Sequence, residues 1–537
     1  MKKLYVVLAV CLLWACQVTT AGAEGFALTE WSSRGLSLAG GMVGRADDPS
    51  AIAYNAAGIT QLPGTHVMGG FAAIAPMGTI DLDLADGSHT STTTKPHIWA
   101  APHAYITHQL NDRFWLGLGL FSRFGLGNEF ADNWTGRYNL TNINFQTFSL
   151  VPTVALKVND VLSLSAGVEI MHASFAMGQQ IPSMQYIGYI PSRGEDSKMT
   201  LNGTGWGVGA QVGAHLRMTD ELSLGFSYKS PVTLNIAGSA DFSRHHSNML
   251  ADQGQVPHTI DTDVHSTVHL PDSFAVGLAY RPLENLSFEV GTVFTRWSTY
   301  DSMNIYFDSD FQSINHKKWR DGWNFNASVE YEPLDWLALR AGIWYETPVT
   351  NEAHADFMVP SHGRTGVSVG AGFQWGNWTL DLAYAHLWVH SLDYSETDAS
   401  GIRSSVGNVS TGNSRNTVAT FIPPPSAIRS DAGAHSAGMP DTAQAHVNKE
   451  REALDLPFFM IKCQTMISGS GYHRHLLQDL YVLIDPAYTL EALFLWSVLS
   501  QEGNLAVVFL FFLSSLLRNF SSCYWDYFHQ KQGYSNM

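Results

Sequence analysis

Between residues 203 and 216 the chain alternates with a period of two. Trp206, Val208, Ala210, Val212, Ala214 and Leu216 fall on one side, and Gly205, Gly207, Gly209, Gln211, Gly213 and His215 on the other. That spacing belongs to a β-strand with unlike faces, not to a helix. The same alternation places Leu162, Leu164, Ala166, Val168 and Ile170 together, then Leu337, Leu339, Ala341 and Ile343, then Thr365, Val367, Val369, Ala371 and Phe373. Followed along the chain, it predicts fourteen strands, at about 66–78, 97–108, 113–124, 143–158, 161–175, 202–217, 221–235, 262–281, 286–297, 317–332, 336–346, 363–375, 378–390 and 410–422. Many exceed ten residues, whereas strands of soluble sheets average about five or six.

The connections alternate in length. Short ones fall at 109–112, 159–160, 218–220, 282–285, 333–335 and 376–377, and long ones near 79–96, 125–142, 176–201, 236–261, 298–316, 347–362 and 391–409. Outer-membrane barrels have this asymmetry, and an even number of antiparallel strands closes without a free edge. The expected fold is therefore all-β, a 14-stranded antiparallel transmembrane β-barrel over residues 61–422. A soluble all-β sandwich shares the alternation but neither the strand length nor the loop asymmetry.

Composition agrees. Charged residues make up 14% and aromatic residues 12% of the chain, and apolar and polar faces average out along its strands. The formal charge of −17 argues against a nucleic-acid partner, which favours a basic surface. Residues 1–23 have the form of a secretory signal, with Lys2 and Lys3 before an apolar run and Ala21-Gly22-Ala23 as the cleavage site. A competing reading takes Leu13-Trp14-Ala15-Cys16 as a lipoprotein cleavage box. The other cysteines are Cys11, Cys463 and Cys523, so the predicted barrel carries neither a disulfide framework nor a Cys-ligated zinc site. His245, His246, His258, His265 and His269 lack regular ligand spacing, and neither a metal nor a cofactor is expected.

Residues 24–60 are rich in Gly, Ala and Ser. They cannot build a core alone but can fill a narrow space inside something else. Asp48-Pro49 has the form of a helix start. The residues Gly25-Phe26, Glu30-Trp31-Ser32-Ser33, Ala46-Asp47-Asp48 and Asn55-Ala56-Ala57 resemble the N-terminal hatch of the FadL family, outer-membrane transporters of long-chain fatty acids and other hydrophobic compounds. Further matches are Phe124-Gly125-Leu126-Gly127, Trp134-Thr135-Gly136-Arg137-Tyr138, Leu270-Pro271-Asp272-Ser273, Trp319-Arg320-Asp321 and Asp381-Leu382-Ala383-Tyr384. The family has Asn-Pro-Ala where Ala56 stands here. The tail, residues 423–537, departs from the family; it opens on Pro423-Pro424-Pro425, shows no strand alternation, and reads either as an added domain or as the product of a shifted frame.

The resemblance implies a monomer in the bacterial outer membrane, among its lipid and lipopolysaccharide. It would pass long-chain fatty acids or other hydrophobic or aromatic small molecules passively, through a hatch-gated barrel that opens sideways into the bilayer. Phe26 would touch ligand, and Arg320 would receive a carboxylate, with Arg340 a second basic candidate. Ile181, Met184, Tyr186, Tyr189, Phe242 and Met249 would line an outer capture groove. Asn55, Ala56 and Ala57 of the hatch would meet a third-strand kink at Gly117 and Gly119. By strand parity Glu169, Arg217, Glu289, Arg340 and Asp381 face the lumen. A lipid hydrolase and a general porin are the alternatives; no Ser–His arrangement stands out for the first, and a hatch has no use in the second.

Overall fold

The computed structural model describes residues 25–84, 87–187, 190–245, 247–309, 311–394, 409–422, 426–430, 460–466 and 477–483; the expected signal segment lies outside them. The chain divides into two compact units, 1–436 and 437–537. In the second, Met460–Met466 pairs antiparallel with Leu477–Leu483.

Apart from a small ladder between Met184–Ile187 and Ile190–Arg193, the first unit is one sheet. Its spans are β1 (Thr65–Leu84), β2 (Trp99–Gln109), β3 (Phe114–Phe121, continued by Gly125–Glu129), β4 (Asn142–Lys157), β5 (Leu162–Ile181), β6 (Ser197–Arg217) and β7 (Leu222–Lys229, then Val232–Phe242). Then come β8 (Thr262–Leu270, then Ser273–Leu283), β9 (Leu286–Thr295, then Ser302–Phe307), β10 (Gln312–His316, then Gly322–Leu334), β11 (Leu337–Glu346), β12 (Arg364–Trp375), β13 (Trp378–Val389) and β14 (Val409–Ile422, then Ser426–Ser430). Each pairs antiparallel with the next. β14 then returns to β1, with Ala73 opposite Phe421, so the ladder closes on itself. Closure leaves no free terminal strand, which a sheet in lipid requires.

The closing strand runs further than 422. Ser426–Ser430 pairs with the start of β1 and with Trp378–Leu380 of β13, so the first residues of the expected tail belong to the sheet. The three prolines at 423–425 cannot donate ladder hydrogen bonds, and that obscures the continuation in the sequence.

The faces are inverted relative to a soluble protein. On β6, Trp206, Val208 and Val212 are 63%, 67% and 50% exposed, while Gln211 and His215 between them are buried. Val154, Val168, Phe226, Phe274, Ile343 and Val369 continue the exposed apolar surface around the ring. In water each Å² of it would cost about 25 cal/mol, and soluble proteins rarely show apolar patches above a few hundred Å². Lipid is the solvent that such a face fits. Inside, Glu169, Glu289, Glu330, Arg340 and Asp381 are all buried; Arg217, expected among them, is exposed at a short turn.

Residues 25–62 touch strands on opposite sides of this ring, which places them within it. They contain two short helices, α1 (Ser33–Ser37) and α2 (Ala51–Tyr54), and a 3-10 turn, Ala56–Gln61. The Asp48 side chain accepts from Ser50 N–H at 2.8 Å, but α2 begins at Ala51, two residues beyond Pro49. The Glu289 carboxylate of β9 accepts three consecutive backbone N–H groups of this segment, from Val43 (2.8 Å), Gly44 (2.9 Å) and Arg45 (2.9 Å), a small anion nest. Gly44 lies so close to β8 that a Cβ there would sit 2.7 Å from the Gly277 carbonyl oxygen. Arg34 bridges Asp47 (2.6 Å) of the segment and Glu330 (2.8 Å) of β10; Glu330 also accepts from Arg340 (2.6 Å), which pairs in turn with Asp381. These ions cluster toward the end of the ring with short turns, the side that outer-membrane barrels turn to the periplasm.

Candidate functional site

The half of the lumen nearer the long connections is apolar. Phe26 stands at its centre, 6% exposed, edge-on to Phe124, Phe145, Trp297, Tyr300 and Trp319 at centroid distances of 4.7–6.0 Å. Edge-to-face pairs of this kind stabilise a ring position by about 0.5–1.5 kcal/mol each beyond burial. Gly25 just before it has φ +59°, and a Cβ would meet Trp297 at 2.7 Å and Trp319 at 2.8 Å. The turn that delivers Phe26 therefore requires glycine.

Two cavities meet at Phe26. The outer one, about 30 Å³, is lined by Phe26, Phe145, Tyr300, Met303, Trp319 and Lys317 among others. The second, about 180 Å³, runs from residues 25–30 past Trp344 and Leu387 to β1, β2 and β3. Its lining includes Met77 and Ala100, which are exposed on the outside of the ring, as well as buried Phe124 and Trp344 inside it. Its lining thus draws on both faces of the sheet.

The cavity adjoins a break in the ladder. β2 and β3 pair from Gln109–Trp115 as far as Ala104–Leu120. Beyond that point the chain bends at Ser122–Phe124, and Gly125–Glu129 pairs with β4 alone. The next backbone hydrogen bond between the two edges among the described residues is Lys95 N–H to Glu129 O, at 2.7 Å. The backbone groups freed at the bend are taken up by the plug: Leu28 N–H donates to Arg123 O (2.9 Å), Gly125 N–H to Phe26 O (3.0 Å), and the Trp31 indole N–H to Ser122 O (2.8 Å). The Arg123 guanidinium, buried, donates to Glu169 (2.9 Å), Ser230 O (3.0 Å) and Pro271 O (2.9 Å), capping carbonyls freed where β7 and β8 are interrupted. Across the break the Trp99 ring lies against Gly127; a Cβ there would be 2.3 Å from it. The Trp99 indole N–H, although buried, has no hydrogen-bond partner among the described residues.

The family model described as "Outer membrane protein transport protein (OMPP1/FadL/TodX)" matches residues 14–421. The chain belongs to this family. It is 23% identical over 421 residues to the long-chain fatty acid transport protein of Escherichia coli O6:H1, covering 74% of this chain and 94% of that one. Its fold is similar to the crystal structure of a Pseudomonas aeruginosa FadL homologue, with TM-score 0.66 and 20% identity over 76% of this chain and 100% of that one. It is also similar to that of the Pseudomonas putida toluene transporter TodX, with TM-score 0.54 and 16% identity over 76% and 100%. As an OMPP1/FadL/TodX protein the chain is an outer-membrane transport protein.

The structure redistributes the expected site residues. Arg320 is exposed and lines neither cavity; its backbone N–H donates to Val349 O at 2.8 Å. Lys317, three residues earlier, is the cation that turns inward, 3% exposed. Arg340 is committed to Glu330 and Asp381 in the ionic half, not to an apolar pocket. Ile181 and Phe242 are buried in the core, not exposed along a groove. Met184 and Met249 are half-buried, and Asn248 ties their two loops together, donating to Pro182 O (2.9 Å) and accepting from Met184 N–H (3.1 Å). Tyr189 lies outside the described residues, as does the Tyr186 side chain.

Asn55 is fully buried, but on the β6 side: its amide donates to Val43 O (2.9 Å) and Ala214 O (3.0 Å) and accepts from Ala57 N–H (3.3 Å). It clasps two parts of the plug to β6 and does not support the bend in β3. Ala56 and Ala57 are buried in the same turn. Gly117 and Gly119 lie below the bend, where a Cβ on either would come within 2.8 Å of Ile52 of α2.

The groups missed in the sequence are Arg123, Trp99, Lys317, Asp356 and Arg364. Arg364 donates to Gly25 O and lies 3.6 Å from Glu346, beside the larger cavity. Glu30 lines that cavity too; burial raises its carboxyl above the usual range, opposed by the Thr29 N–H it accepts at 2.9 Å. Arg123 sits beside the recognisable Phe124-Gly125-Leu126-Gly127, which was the available signal. The others depend on contacts between distant segments.

Proposed function

We propose that this protein carries hydrophobic small molecules across the outer membrane by passive diffusion. They enter the apolar outer half, pass Phe26, and leave sideways into the bilayer through the opening between β2 and β3. The observation that carries this reading is the cavity that begins at Phe26 and includes both faces of the wall where the ladder is unpaired. The periplasmic half supports it, because ion pairs and the Glu289 nest fill the direct route downward. The E. coli relative's fatty acids and TodX's toluene mark the range of cargo. The closed ring acts as a monomer among lipid and lipopolysaccharide, and the plug's first residues move while residues 33–61 stay fixed.

The test is uptake of labelled hydrophobic compounds, oleate and toluene, by cells with and without the protein. Ala101 is buried and lines the passage, so Ala101→Trp fills it and abolishes uptake; Trp99→Ala, which removes the ring over Gly127, raises it. Wild-type uptake by a correctly placed Ala101→Trp protein refutes lateral exit.

A further inference from the structure

Lys317 is the cation in the lining of the outer pocket and the group there that could meet a fatty-acid carboxylate. Its ammonium group is paired with Asp356, from the connection between β11 and β12, and touches Met358 Sδ at 3.5 Å. Asp356 is 5% exposed. It also accepts from Asn315 Nδ2 at 2.9 Å and from the Met358 N–H at 3.1 Å. The Tyr394 hydroxyl closes on its backbone carbonyl at 3.4 Å. Lys317 thus stands in the pocket lining with its charge already met by a buried carboxylate. The larger cavity repeats the arrangement, with Arg364 facing Glu346 and Glu30 close by. In the larger cavity two carboxyl groups face one cation, and in the outer pocket the one lining cation, Lys317, is already paired with Asp356.

We propose that the cargo is uncharged, a hydrocarbon or similar neutral hydrophobic molecule, and not a fatty-acid anion. This rests on the transport reading above and narrows it. An anion entering the pocket must either remain unpaired in an apolar cavity or displace Asp356 and strand that carboxylate, still buried, in its place. Both are costly, because removing one partner from a buried pair leaves an uncompensated charge. A neutral molecule meets aromatic edges at Phe26, Phe145 and Tyr300 and the Met303 thioether, all suited to apolar and aromatic guests.

The experiment compares two ligands of equal chain length, labelled 1-dodecanol and dodecanoate, binding to the purified full-length protein at about pH 9, far above the carboxylic acid range. The wild-type protein prefers dodecanol by about tenfold or more, the scale of one charge-assisted hydrogen bond. Asp356→Asn releases the Lys317 charge and shifts the dodecanoate-to-dodecanol affinity ratio upward by about tenfold or more. The double variant Lys317→Met with Asp356→Asn removes both charges and keeps the preference for dodecanol. Should Asp356→Asn alone fail to fold, the double variant decides, and loss of the preference in it overturns the proposal. Equal binding of the two ligands by the wild type, or an unchanged ratio in folded Asp356→Asn, overturns the proposal and leaves the transport reading standing. Binding of neither ligand by the wild type overturns both.

Discussion

Glu289→Ala is the sharpest probe of the plug. The substitution leaves the ladder of β9 intact, since that side chain takes no part in strand pairing. It does remove the acceptor of three plug N–H groups, at 2.8, 2.9 and 2.9 Å. It also removes the carboxylate 4.0 Å from Arg45, whose side chain is 2% exposed. Hydrogen bonds to a charged group contribute about 1.5–3 kcal/mol each, but three that share one carboxylate do not add. The better guide is the loss of one partner from a buried charge pair, about 3–5 kcal/mol. That multiplies the population of a displaced plug by roughly two to three and a half powers of ten. The assay is single-channel conductance in planar bilayers, with limited proteolysis of residues 24–60 as a second readout. Wild type stays closed and protected; Glu289→Ala shows open bursts and cleavage while the barrel keeps its heat-resistant migration. Glu289→Gln, which keeps one acceptor oxygen, falls between them. Wild-type conductance and protection in Glu289→Ala would refute the nest as the anchor.

Two further outcomes follow from the same geometry. A chain ending after residue 430 keeps the barrel's heat-resistant migration, whereas one ending after 422 loses the Ser426–Ser430 pairing with β1 and β13 and melts at lower temperature, measured by migration against temperature. Asn55→Ala removes a buried amide with three hydrogen bonds, destabilising the plug by about 1–3 kcal/mol. It raises hydrogen exchange at 43–57 and leaves the bend at Ser122–Phe124 protected.

The sheet was legible because a period of two survives wherever one face meets lipid and the other meets protein. Spacing separates Trp206 and Val208 from Gln211 and His215, and strand length with the loop asymmetry says that the apolar side is the outside. The site was less legible because its chemistry is assembled from distant segments. Arg320 and Lys317 are three positions apart, and only the backbone path between Trp297 and Gly322 decides which of them turns inward. Asp356, which neutralises Lys317, belongs to a connection with no periodicity to place it. Asn55 meets β6 and not the bend in β3, because the course of a Gly-rich segment inside a ring is set by contacts such as Gly44 with Gly277, not by its own propensities. The expected strands 221–235 and 262–281 run through Ser230-Pro231 and Pro271-Asp272, where β7 and β8 are in fact interrupted, and nothing local says that Arg123 caps both.

The return of β14 to β1 also constrains how the molecule is made. Ala73 meets Phe421 across the whole length of the sheet-forming chain, and the entropy of closing so long a loop is about 5 kcal/mol, modest beside the ladder gained. The kinetic consequence is larger, since contacts this remote in sequence form late. The plug precedes β1 in the chain and bonds to strands on opposite sides of the ring. Once the last strand has paired, a segment of that width cannot thread in past the polar contacts that fill the lumen. Residues 25–62 are therefore enclosed during assembly, with the final strand sealing a vessel already filled. A mutation that delays the plug would yield empty barrels that no later equilibration repairs.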